Sequence, residues 1–103
     1  MKRVLCLVTL LAIAASPVHA QAGDPQVGLA LAERVCSACH AIRSGQIRLP
    51  NSRAPTFLEF ATMPGMTVAA LTVALTTPHA GMPLFELAAA EREDVIAYIL
   101  SLR

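Results

Sequence analysis

Apolar residues are distributed very differently in the two parts of this chain. The first part is a nearly unbroken run. From Val4 to Ala15 only Thr9 is polar, Met1-Lys2-Arg3 precedes the run, and Ser16-Pro17 ends it. Val18-His19-Ala20 follows, with small residues at its first and third places. A basic start, a short apolar stretch and a small-residue site make the layout of a secretory signal peptide. Cleavage is predicted after Ala20, leaving residues 21–103 as one domain. The alternative is an uncleaved anchor, but a spanning helix needs about 20 apolar residues. Cys6 lies at the start of the run rather than its end, so it does not mark a lipid-attachment site.

Beyond residue 20 the apolar positions recur at helical spacing. Asp24 as N-cap and Pro25 at the first helical position make a helix start. Val27, Ala30, Leu31 and Val35 then continue one face, and this helix is predicted to run from about residue 25 into Cys36–His40. Residues 41–55 hold Gly45, Pro50, Asn51, Ser52 and Pro55 and read as loop. A short helix is expected over Thr56–Thr62, ended by Pro64-Gly65. Thr67 caps a further helix over Val68–Leu75 that is apolar nearly all round, with Pro78 beyond it. Residues 79–86, with Gly81 and Pro83, form another loop. The last helix is predicted over roughly 88–102, with Val95, Tyr98, Ile99 and Leu102 on one face. No segment alternates with period two, so the expected class is all-α.

Composition and charge refine this picture. The chain has 103 residues, 55% hydrophobic and 15% charged, with a formal net charge of +1. That is too apolar for a disordered tail, and the charge gives no basic face for nucleic acid. Losing Lys2 and Arg3 with the leader takes the net charge to −1. No Lys remains, so every cation of the mature part is Arg. Three Cys fit no simple disulfide framework. Without Cys6 they become two, in a compartment where free thiols tend to pair. A helical domain this small has a thin core and often needs a staple.

Cys36-Ser37-Ala38-Cys39-His40 is the attachment signature for c-type haem. Two thiols at i and i+3 of a helical turn project to one side, where each can add to a porphyrin vinyl group. His40 then faces the iron as an axial imidazole. The covalent ring replaces the missing staple and supplies a large apolar surface, which suits a chain of only 4% aromatics. Two other chemistries use such a pair. A thiol–disulfide oxidoreductase carries it on a βαβ pattern, which is absent here. A zinc site needs a fourth ligand, and His79 is the only other His after the leader.

With these residues in view, the chain resembles a small bacterial class I cytochrome c over nearly all of its mature part, from about Gly28 to the C-terminus. The resemblance implies four to five short helices wrapped around one covalently bound haem. It further rests on Ala54-Pro55-Thr56-Phe57, which implies that the Pro55 carbonyl accepts a hydrogen bond from the His40 ring. It also rests on Met82-Pro83-Leu84-Phe85, which implies Met82 as the thioether ligand on the other face of the iron. Met63, Met66 and His79 are the rivals for that place. Gly28 and Tyr98 match the small and aromatic residues where the first and last helices cross. An exposed Gly and an ordinary core Tyr are the plainer reading. Two departures stand out. Ala88-Ala89-Ala90 gives the last helix no Ser or Thr cap, so fraying is expected there. There is also no Trp for a haem propionate. Arg48, Asn51 or Arg53 could take that role, or could be solvated loop residues.

The function implied is electron transfer in the periplasm, with one haem c cycling between Fe(II) and Fe(III) and no enzymatic activity. Partners would dock transiently at the exposed haem edge, and the mature chain would be a monomer with no membrane span. Two alternatives are open. One is an electron-transfer subunit of a larger dehydrogenase or oxidase. The other is a haem sensor or weak peroxidase, if Met82 is not a stable ligand.

Overall fold

The computed structural model describes residues 23–103. The predicted signal segment, residues 1–20, lies outside the described residues. Four helices are described: α1 (Pro25–Val35), α2 (Phe57–Thr62), α3 (Val68–Thr76) and α4 (Ala89–Leu100). Among the described residues there is no strand, and a single isolated bridge joins His79 to Met82.

Each helix start has a chemical cause. The Asp24 carboxylate accepts from the backbone N–H of Gln26 at 2.8 Å and of Val27 at 3.4 Å, which satisfies two of the orphan donors of α1. Thr56 and Glu59 form a reciprocal capping box on α2. The Thr56 hydroxyl accepts from Glu59 N–H at 3.1 Å, and the Glu59 carboxylate accepts from Thr56 N–H at 2.5 Å. Thr67 accepts from Ala70 N–H at 3.1 Å at the head of α3. Ala88 offers α4 no side-chain cap, but Glu91 supplies the other half of the motif by accepting from Ala88 N–H at 2.9 Å. The expected fraying of α4 is offset at that point.

Helix α1 lies across α4, and glycine sets how closely. A methyl group at Gly28 would stand 2.0 Å from the Asp94 carbonyl oxygen and 2.9 Å from the Tyr98 Cβ. Gly28 is buried, so the plainer reading of an exposed glycine does not hold. The contact is tied off by Asp24 N–H donating to the Asp94 carboxylate at 2.7 Å. The core gathers Leu31 and Ala32 from α1, Phe57 and Ala61 from α2, Leu71 from α3, and Val95, Ile96, Tyr98 and Ile99 from α4. Helix α3 departs from expectation. It is apolar nearly all round, yet only Leu71 is buried, while Val68 and Val73 stay exposed. No described helix is long and apolar enough to cross a membrane.

Candidate haem site

Helix α1 stops at Val35, short of its predicted end. The chain continues through Cys36–His40 as a tight turn, in which Cys39 N–H and His40 N–H both donate to the Cys36 carbonyl, at 3.1 and 2.9 Å. The two cysteines are free thiols and both are half-buried. Burial pushes the Cys36 thiol up from its ordinary value. Among the described residues no group of three or more His, Cys, Asp or Glu is placed to hold a bare metal ion.

His40 is buried, and its Nδ1 lies 2.6 Å from the Pro55 carbonyl oxygen. A carbonyl only accepts, so this contact assigns a proton to Nδ1; in the neutral ring Nε2 is then the nitrogen that carries the lone pair. The ring stands between Phe57 and Phe60, with centroids 5.7 and 6.0 Å away. A second bond, from Phe57 N–H to the Ala41 carbonyl at 3.0 Å, ties the strip around residue 55 to the strip around residue 41. Behind them the Tyr98 hydroxyl donates to the Ile42 carbonyl at 2.7 Å.

His40 faces a cleft of about 860 Å³ of empty space, its open mouth included. Its walls are almost wholly apolar: Leu31, Leu71, Leu75 and Ile99 come from three helices, and Leu84 and Phe85 close it from the loop after α3. Cys36, His40, His79 and Met82 line it as well. These donors are nitrogen and sulfur, with no carboxylate in the lining. Such a set suits iron held in an apolar macrocycle and not a hard cation.

The structure sorts the sequence candidates. It brings Cys36, His40, His79 and Met82 to one cleft, whereas Cys39 is half-buried and does not line it. Met63 is exposed at the turn after α2, and Met66 packs at the edge of the core; neither lines the cleft. Arg48 and Arg53 are exposed on the loop after Cys36–His40 and do not line it either. The turn that carries Met82 is closed by its N–H donating to the His79 carbonyl at 3.3 Å, with Gly81 at a φ of +79°. Three features escaped the sequence reading. The Thr56–Glu59 capping box was legible in Thr-x-x-Glu. The close approach at Gly23, where a methyl would stand 2.1 Å from the Glu93 carbonyl oxygen, follows the same logic as Gly28. The Tyr98 bond to Ile42 left no local signal.

An all-helical shell around an apolar cleft, with a Cys-x-x-Cys-His turn on its wall, defines a covalent haem protein. Residues 26–103 match the cytochrome c family model, and the chain belongs to that family, as a class I c-type cytochrome. The family carries haem c, covalently attached and with iron, and one haem suits a domain of this size. Searches of the curated proteins and of the solved structures find no match to the chain.

Proposed function

We propose that this protein is a single-haem electron carrier of the periplasm, exported by cleavage after Ala20, with residues 21–103 as its one functional domain. Cys36 and Cys39 would carry the thioether links to the haem, and His40 and Met82 would ligate its iron. The haem iron supplies one-electron exchange between Fe(II) and Fe(III). The observation that supports this most is a donor pair on one apolar cleft: His40, its Nδ1 proton held by Pro55, and Met82 on the loop after α3.

The chain's own residues tune that exchange. The Pro55 carbonyl orients the His40 ring and makes Nε2 a stronger donor, which favours the oxidised ion. The Met82 sulfur favours the reduced ion and raises the potential relative to a second imidazole. The apolar walls around Leu31, Leu71 and Ile99 keep water from the centre and disfavour added charge there. With His40 and Met82 both given to the iron, no ligand place would be left for a substrate. Partners meet the protein transiently at the haem edge over a small interface.

His79 lines the same cleft, which favours bis-histidine ligation as the second reading. The test of the proposal as a whole is covalency. The protein, exported and purified, should give a c-type pyridine haemochrome and a mass equal to the mature chain plus one haem. Cys36→Ala and Cys39→Ala should each leave a single link and a shifted haemochrome. Haem extracted intact by acid and organic solvent from the unsubstituted protein would overturn it.

A further inference from the structure

The His40–Pro55 bond depends on the separation of two backbone strips, residues 40–42 and 55–57. One side chain touches both. The Tyr98 ring packs on Phe57 in the second strip, with centroids 6.2 Å apart, and its hydroxyl bonds the Ile42 carbonyl in the first strip at 2.7 Å. Tyr98 itself comes from α4, and α4 is fixed against α1 by the close approach at Gly28. The hydroxyl is buried, so its partner carbonyl has no ready substitute in water. Ile42 N–H is taken up separately by the Gln46 side chain at 3.1 Å, so the hydroxyl acts on the carbonyl alone.

We propose that Tyr98 is a positioning residue for the axial histidine: it clamps the two strips and thereby holds the His40 Nδ1–Pro55 hydrogen bond short. This rests on the reading of His40 as an iron ligand. Physical chemistry gives the sign. A shorter Nδ1–H···O bond pushes electron density to Nε2 and stabilises Fe(III). Loosening the clamp weakens that push, and the potential rises.

The experiment uses the haem-loaded protein. Tyr98→Phe keeps the ring on Phe57 and removes only the hydroxyl. It should raise the reduction potential and speed exchange of the His40 ring N–H, followed by NMR in the reduced state, by about tenfold. Ile96→Val is the stability control, because Ile96 is buried in α4 and does not line the cleft. It should lower the thermal midpoint and move neither readout. The chain has one Tyr, so labelling with 3-fluorotyrosine changes this hydroxyl alone and makes it a stronger donor. That substitution preserves the fold and should move the potential the opposite way. A clamp role is overturned if Tyr98→Phe lowers the midpoint while potential and exchange stay at their starting values, or if 3-fluorotyrosine leaves the potential where it was. Failure of the ligand reading looks different: the unsubstituted reduced protein would then lack a haem-shifted His40 ring signal.

Discussion

At His40 a backbone carbonyl chooses the tautomer. Pro55 can only accept, so the ring must carry a proton on Nδ1, and in the neutral ring Nε2 is the nitrogen with the lone pair. The residue signature Cys-x-x-Cys-His named the turn, but it did not say what would hold the ring; that partner lies fifteen positions on in sequence. Its identity came from family likeness and not from spacing. Gly28 was legible in the same indirect way. The sequence shows a small residue on a helix, and only the packing shows that a methyl there would stand 2.0 Å from the Asp94 carbonyl oxygen. The obstacle is backbone, which cannot swing aside. Gly28→Ala is therefore expected to destabilise the folded protein by about 2 kcal/mol, in the range for overpacked sites. Thermal or denaturant unfolding checks it, and an unchanged midpoint would contradict the close crossing of α1 and α4.

Among the helices, starts were easier to read than extents. Asp24-Pro25 and Thr67 announced α1 and α3 because a cap is a local device, made of residues next to the helix it begins. The end of α1 was not legible, since Cys36–His40 has no Gly or Pro to mark where the helix tightens into a turn. Nor was the exposure of α3: an apolar helix of Val, Ala and Leu reads as buried until one knows how few neighbours surround it. Two predictions belong here. Thr56→Ala removes half of the capping box of α2 and should cost about 1 kcal/mol. Its partner Glu59 gives the effect a pH dependence. Hydrogen bonds from the Thr56 backbone, chiefly, and its side chain lower the Glu59 pKa from an ordinary value of 4.5. A carboxyl with a lowered folded value adds stability above 4.5, and that contribution fades as pH falls through the folded value. The stability gap between the protein and Glu59→Gln should thus be present at neutral pH and close in acid. At α4 the missing cap can be restored. Ala88 has an extended ψ of 153°, so Ala88→Ser should raise stability by about 0.5–1 kcal/mol, read as a higher unfolding midpoint.

For the molecule as a whole, charge is laid out in zones. Arg34, Arg43, Arg48 and Arg53 fall in a stretch without acids, though Arg43 pairs with Glu33. No Asp, Glu, Lys or Arg occurs from Phe60 to Phe85, and four of the seven acids fall between Glu86 and Asp94. Such modest, divided charge should steer partners weakly. Reaction with a redox partner is expected to slow only a few-fold between low and physiological salt; stopped-flow rates falling by orders of magnitude would contradict it. The all-helical class was legible because period is a property of the whole sequence. The cleft was not, since its walls come from every helix and from the loop after α3. The claim on which the rest depends is that His40 and Met82 hold the iron between them. The most direct measurement is the near-infrared edge of the ferric spectrum, where sulfur-to-iron charge transfer absorbs, recorded for the purified protein, Met82→Ala and His79→Ala. The band should be present in the first, absent in Met82→Ala and retained in His79→Ala. Its absence from the unsubstituted protein, or its survival in Met82→Ala, would contradict the assignment.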